Sequence, residues 1–451
     1  MSSTESNVLF PTSFKAPASG WRVPRGCLAA VVGAGRSGRA ASRLLAREGA
    51  RVRLLEANPA NVTEELRAEL EPLGVEIVAG EQSKAQFEGA AIVVPSPGMP
   101  LLKLQEILGG PEALAGGQGP EILAETELAW RLLDGEPCIA VTGTSGKTTT
   151  VSLVAAMLRA AGRKVFLGGN IGTPLSEYLL SQEAADVVVL EVSSFQLQAC
   201  SRFHPQAAAI LNVTPNHLDY HRDMEEYASA KFRIFARQEA GDLAVVPECL
   251  AAEARRRGCR ARLEAFAARG RFPATKLIGS HNDENCEAAW LLVRAFGAAE
   301  AEAARAVEAF EPIPHRLERV CEKGGILYVN DSKSTTVSSM ETALKAMDRP
   351  VLLLCGGRFK GGDLKALLPL VRAKVRAVAG FGESQAIFEA AWKGQIDMAW
   401  FPALRPAVEH LRAKARPGDC MLLSPATASF DLYKGMAYRG QDFKDIVGGL
   451  A

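Results

Sequence analysis

CIAVTGTSGKTTTVSLVAAML, residues 138–158, runs an apolar segment into a glycine-bearing turn and then straight into a helical stretch. Glycines at Gly143 and Gly146 let backbone N–H groups fold around a phosphate, and the helix that opens at Lys147 presents its positive end there. Lys147 is placed to neutralise β- and γ-phosphates, and the Thr148 hydroxyl to hold a magnesium ion. The spacing is shorter than the common phosphate loop, which needs glycine at 141, where Val141 stands. Gly143 instead begins G-x-x-G-K-T. A strand before and a helix after predict a parallel α/β domain with nucleotide at the strand's carboxyl end.

The same rhythm repeats on both sides. Upstream, CLAAVVGAG (27–35), a helical stretch at 37–49 and RVRLLE (51–56) form a βαβ unit with AAIVV (90–94) beyond it. Around the central loop, KVFLGG, VVVLEV and AAAILNV read as strands buried on both faces, separated by helices over 147–161, 225–238 and 284–296. After the two prolines of EPIPHR (311–316), ILYVN, PVLLLCGG, VRAVAGFG and CMLLSP alternate with helices over 338–347, 364–373, 383–392 and 404–415. The prediction is an α/β chain of three consecutive domains. Residues 1–124 are Rossmann-like, 125–312 form a central phosphate-loop ATPase domain, and 313–451 are again Rossmann-like. A length of 451 residues agrees, at about 150 residues per domain. The first twenty residues read as an irregular arm and Gly109–Gly119 as a glycine-rich loop.

Composition removes several classes. Lys+Arg is 52 against 51 Asp+Glu, so no basic surplus points to nucleic acid. Arg255, Arg256, Arg257, Arg260 and Arg262 cluster, but Glu253 and Glu264 flank them, and a solvated helix face is expected. Nine scattered cysteines without a C-x-x-C pair fit a reducing compartment. No apolar run approaches about 18 residues, and the N-terminus lacks a basic start with an apolar core. A cytoplasmic protein without membrane insertion is expected.

Further polar groups fall just past strand ends. GAGRSG (33–38) is a G-x-G-x-x-G turn, with Glu56 ending the next strand where a ribose-binding acid is often found. NAD, FAD and a nucleotide sugar all remain open on that motif. Glu191 closes the strand of LEVSSFQL (190–197) and would complete a magnesium shell. Asn212, Asn216, His217, Asp219 and His221 follow the next strand. Lys231, among Tyr227, Phe232 and Phe235, has the composition of a snorkelling surface lysine. In the last domain, Arg316, Asp331, Lys333 and Lys360 follow strands or a domain break. An NAD-dependent oxidoreductase built on GAGRSG would leave the phosphate loop, Glu191 and His217 unexplained.

TGTSGKTTT, GGNIG (168–172), LEVSSFQL, NVTPNHLDYH with Lys231 downstream, PHRLE (314–318), NDSKSTT and LLSPATASFD together resemble the Mur ligase family, in order and from about residue 27 onward. The resemblance implies an ATP-dependent amide ligase. The branch it favours phosphorylates the carboxylate of UDP-N-acetylmuramoyl-L-alanine, and D-glutamate's amine attacks the resulting acyl phosphate. A folylpolyglutamate synthetase-like ligase, adding L-glutamate to a folate, is the alternative.

The resemblance also implies roles. Gly143, Thr144, Ser145, Gly146, Lys147, Thr148 and Thr149 would bind ATP phosphates, with Asn285 at adenine and Arg316, Asp331 and Lys333 at phosphate and ribose. Thr148 and Glu191 would hold one magnesium ion. His217 and Lys231 would serve a second, with Lys231 carbamylated. Asn170 matches an active-site asparagine. Thr335, Lys360 and Ser429 would hold D-glutamate, and Gly35, Arg36, Ser37 and Glu56 the UDP group. The family pattern is departed from at Ser145, at Asn216, at Met436 and at Ala57-Asn58 after Glu56. A monomer is the expected state.

Overall fold

The structure, a computed structural model, describes residues 20–110, 119–181, 183–217 and 220–450. The expected N-terminal arm up to residue 19, most of the glycine-rich stretch before Gly119, and Asp219 lie outside the described residues.

Three sheets are built from the apolar runs. The first has β1 (Leu28–Val32), β2 (Arg51–Glu56), β3 (Glu76–Ala79), β4 (Ala90–Pro95) and β5 (Glu121–Ile122) in the order β3-β2-β1-β4-β5, all parallel. The second has β6 (Cys138–Thr142), β7 (Val165–Gly169), β8 (Val187–Glu191), β9 (Ala207–Ile210), β10 (Leu243–Pro247) and β11 (Arg262–Phe266). Its order is β11-β10-β9-β6-β8-β7, again all parallel. The third has β12 (Glu318–Lys323), β13 (Ile326–Asn330), β14 (Val351–Cys355), β15 (Val375–Phe381), β16 (Met398–Phe401) and β17 (Cys420–Leu423). Its order is β12-β13-β17-β14-β15-β16, with only β12 antiparallel.

Every residue of β1, β6, β8, β9, β13, β14 and β17 is buried. Covered on both faces, these strands need no polar alternation, which is why they read as continuous apolar runs. From β6 the chain crosses to β7 and returns to β8 on one side, then passes to β9 on the other. Loops after β6, β8 and β9 therefore splay apart at the carboxyl edge, and a crevice opens there. β1 between β2 and β4, and β17 between β13 and β14, make the same kind of switch point.

The chain forms two compact units. One runs to Phe272 and takes in Glu284–Val307; the other comprises Pro273–Asp283 and the chain from Glu308 onward. One hydrophobic core serves the first two sheets, from Ala29 and Leu44 to Val188 and Ile210. The third sheet has a core on each face, around Trp392 and Phe388 on one and around Phe443 and Leu411 on the other.

Two expectations change. The helix expected over 225–238 runs Met224–Phe232 and tightens into a 3-10 turn at Arg233–Phe235. The arginine cluster is not one helix face: the helix Ala251–Arg256 carries only Arg255 and Arg256, and Arg262 lies in β11. No helix among the described residues is long and apolar enough to cross a membrane.

Candidate active site

The loop after β6 closes on itself before the helix Lys147–Ala160 begins. Gly146 caps that helix at φ +83°, and a Cβ there would stand 2.5 Å from Asn285 Oδ1. Asn212 braces the other side: its Oδ1 accepts the Ser145 N–H at 2.9 Å, and its backbone carbonyl accepts that of Thr144. The Thr144 hydroxyl reaches the Thr214 carbonyl and the Tyr227 hydroxyl, each at 3.1 Å. The Lys147 ammonium donates to the loop's own carbonyls, Gly143 at 2.8 Å and Thr144 at 3.1 Å. Thr149 and Asn285 are buried behind the loop, and Asn285 Oδ1 also accepts from Thr150 Oγ1 at 3.3 Å.

Glu191, at the end of β8, is 2% exposed. Thr148 Oγ1 donates to its Oε2 at 2.8 Å and Asn170 Nδ2 to its Oε1 at 2.7 Å. Gly169 is required beside it, because a Cβ there would lie 2.4 Å from the Glu191 carbonyl. Among the described residues Glu191 has two neutral donors and no ion-pair partner within 4.0 Å. A buried carboxylate with no ion pair, beside a hydroxyl, is a hard-oxygen donor set that suits magnesium, which takes few ligands from protein. No group of three or more His, Cys, Asp or Glu that could hold a metal occurs among the described residues.

Lys231 does not snorkel. It is 1% exposed, and its ammonium donates to the Gly143 carbonyl at 2.9 Å, 4.5 Å from the Tyr227 ring centroid. Burial, reinforced by the Lys147 charge and opposed by Glu191, holds its pKa well below the usual lysine value. His217 lies outside this hydrogen-bonded set, exposed and at φ +56°. Its ring stands 4.9 Å from Phe195 and 6.4 Å from Tyr227, so Tyr227 packs toward both His217 and Lys231.

In the first sheet, Gly35 caps the helix Arg36–Arg47 and nothing lies within 4 Å of where its Cβ would be. Gly38 is compulsory, since a Cβ would fall 1.9 Å from the Gly33 carbonyl. Arg36 is exposed and Ser37 half-buried beside that open turn. Glu56 is buried, and protein donors occupy its carboxylate: Ala34 N–H at 2.7 Å, Asn58 N–H at 2.9 Å and Asn61 Nδ2 at 3.1 Å. Burial pushes its pKa up, but the three hydrogen bonds outweigh it and leave the carboxyl below the ordinary range. The acid thus braces the glycine turn directly.

The second unit gathers its polar groups after β13, β14 and β17. Asp331 is buried and accepts from Leu317 N–H at 3.1 Å and Ser424 Oγ at 3.2 Å. Burial, opposed by hydrogen bonds and by Arg316, pushes its pKa up to about 7. Lys333 and Lys360 are exposed, Thr335 half-buried and Ser429 buried. Beneath these loops lies Arg439, fully buried. It donates to Ser332 Oγ at 3.0 Å, the Ser332 carbonyl at 2.9 Å and the Thr427 carbonyl at 3.1 Å, with the Ala428 and Gly356 carbonyls at 3.4 and 3.5 Å.

Comparison with known proteins bears on this arrangement. Residues 141–264 match the Mur ligase middle domain and residues 315–427 the glutamate ligase domain of Mur ligases. Over 434 residues the chain is 57% identical to the UDP-N-acetylmuramoylalanine–D-glutamate ligase of Desulfovibrio desulfuricans, covering 96% of this chain and 98% of that one. The chain belongs to the Mur ligase family. Its fold agrees with that of the ADP-bound MurF ligase of Thermotoga maritima, at a TM-score of 0.58 and 16% identity over 97% of this chain and 100% of that one. An ADP-bound folylpolyglutamate synthase of Mycobacterium tuberculosis shares the fold more distantly, at 0.53 and 14% over 68% of this chain and 90% of that one.

Three residues of this Mur ligase take structural parts that the sequence reading does not give them. Tyr227 joins Thr144 to Lys231, Asn212 braces the phosphate loop, and Arg439 fastens three loops of the second unit. Asn212 carries a usable signal, a polar residue directly after an apolar strand. Tyr227 and Arg439 act across 83 and 107 positions, which no local pattern reports.

Proposed function

We propose that the protein is an ATP-dependent, ADP-forming ligase that joins D-glutamate to UDP-N-acetylmuramoyl-L-alanine in peptidoglycan precursor synthesis in the cytoplasm. The observation that carries this reading is 57% identity, across nearly all of both chains, to a ligase of that name. The site chemistry supports it. The loop Gly143–Gly146 runs into the positive end of the helix that begins at Lys147, a place suited to a phosphate. Lys147, now on loop carbonyls, would exchange them for β- and γ-phosphate oxygens, and Asn285 would meet adenine. Thr148 and Glu191 would hold one magnesium ion and His217 with Lys231 a second. When bound, magnesium supplies positive charge to the transferring phosphoryl group.

Lys231 is suited to carbamylation. Its depressed pKa favours the neutral amine, which adds carbon dioxide and loses a proton to give a carbamate oxygen ligand. Arg316, Asp331 and Lys333 would take phosphate and ribose; Thr335, Lys360 and Ser429 the carboxylates of D-glutamate; Gly35, Arg36 and Ser37 the UDP group, with Glu56 bracing that turn. Asn170 orients Glu191. On this reading the parts divide at 124/125 and 312/313: the first for the UDP substrate, the second for ATP, and the third for the amino acid together with ATP.

The test is ADP release from magnesium-ATP with UDP-N-acetylmuramoyl-L-alanine and a panel of amino acids. ADP that requires D-glutamate, with product heavier by one glutamyl unit, is expected. ADP with L-glutamate and a folate acceptor, or ADP indifferent to the amino acid, would overturn the reading. Bicarbonate enriched in ¹³C should give one carbamate resonance that is lost in Lys231→Met.

A further inference from the structure

His221 is 1% exposed, and it sits where three segments meet. Its Nε2 lies 3.0 Å from Ser194 Oγ, in the helix Ser194–Gln198 that follows Glu191. Its Nδ1 lies 3.3 Å from Gln198 Nε2, and that amide nitrogen is also 3.2 Å from Glu226 Oε1, on the helix that carries Lys231. Its backbone N–H donates to the His217 carbonyl at 2.9 Å.

These contacts fix the tautomer. A carboxylate only accepts, so Gln198 must turn its NH₂ toward Glu226. The same NH₂ faces Nδ1, which is therefore the accepting nitrogen. The imidazole proton then lies on Nε2 and is donated to Ser194 Oγ. Packing alone does not require this residue. The ring lies 5.6 Å from Phe195 at 19°, and 5.1 Å from both Tyr220 and Tyr227. A phenyl ring would fill that place without two buried nitrogens, which cost about 1–3 kcal/mol each unless hydrogen-bonded.

We infer that His221 is a positioning residue that ties the segments bearing Glu191 and Lys231 to the turn bearing His217. The inference rests on the metal roles proposed above for those three residues, and it extends them to a buried histidine outside that ligand set. Through it, a shift of the Lys231 helix reaches the His217 turn by way of Glu226 and Gln198.

The test uses the full chain and His221→Phe, which keeps an aromatic ring in the cluster and removes both ring hydrogen bonds. Mn²⁺ binding is followed by electron paramagnetic resonance with a non-hydrolysable ATP analogue present. Loss of a residue that orients metal ligands should weaken the looser Mn²⁺ step by about tenfold. The magnesium needed for half-maximal ADP release should rise in parallel, with thermal stability near that of the parent. His221→Gln, which keeps an amide donor for Ser194, should recover part of both. Unchanged Mn²⁺ binding in His221→Phe, or a loss that follows only the melting temperature in both variants, overturns the inference and leaves the proposed function intact. A parent protein that binds no Mn²⁺ with the analogue and forms no ADP overturns both.

Discussion

At Gly146, two demands meet: a left-handed backbone, and an Asn285 oxygen that leaves no room for a methyl group. Gly146→Ala should lower stability by about 1–3 kcal/mol and cut nucleotide affinity, read by urea unfolding and by calorimetry with ADP. Asp331 makes a different prediction. Its pKa is raised from an ordinary 3.8 to about 7, so between those values the folded chain keeps a proton that the unfolded chain has released. Stability must therefore fall as pH rises through that window. His281 in the same unit, pushed down to about 4 by burial and Arg316, works in the opposite direction over an overlapping range. The difference between wild type and Asp331→Asn isolates the aspartate: wild type should lose ground to the variant between pH 4 and 7 in melting experiments. Residues with local signatures, such as Lys147, Thr148 and Glu191, are legible in the sequence because a loop and its strand end are contiguous. The burial of Lys231 is not, since the groups that enclose it include Gly143, 88 positions away.

Among elements, legibility followed burial. Strands covered on both faces announce themselves as apolar runs. The edge strands β3, β5, β11 and β12 have intermediate or exposed residues and broken apolar stretches, whereas β7 and β16 are edges that are only half-buried despite apolar runs, so β7 is not covered on both faces as expected. Two fastenings between elements have measurable consequences. Arg439 holds the loops after β13, β14 and β17, on which Thr335, Lys360 and Ser429 stand. Arg439→Lys keeps a charge but loses the planar fork. It should raise the KM for D-glutamate by about tenfold, with the KM for ATP changed less, in steady-state assays. In the first unit, Arg131 and Glu127 form a buried pair, and Glu127 also accepts from the backbone of Ser201 and Arg202. Arg131→Met leaves that carboxylate without its cation and should cost about 3–5 kcal/mol, while the double variant with Glu127→Gln should recover part of it in denaturant titrations.

At the level of the whole molecule, the sequence divides readily into three sheets but not into two units. The chain passes between units after Phe272, Asp283 and Val307, so the second unit is not simply a tail. The helix Ser280–Arg294 belongs to both, its first four residues to one and the rest to the other. Ile278 packs on the core around Val329 and Trp392. A fragment that begins at Glu308 lacks that contact and should melt below the same unit within the intact chain, as calorimetry would show. A break at two prolines marks where the pattern restarts; it does not reveal that Pro273–Asp283, well upstream of the break, is already part of the second unit.

Asn285, which backs the glycine turn at Gly146, gives the molecule an order of assembly. A ribosome emits residues 143–148 long before residue 285. The nascent turn must wait with its rear wall missing, and the first sheet has time to form meanwhile. Arg439 imposes the same delay on the second unit, since the loops at Ser332 and Gly356 are fastened by a residue 107 and 83 positions further on. Chains arrested before Asn285 but beyond Phe266 would contain every strand of the first two sheets and still lack a finished nucleotide loop. Competence to bind ATP should thus appear abruptly with chain length, a step that stalled translation complexes of graded length would resolve.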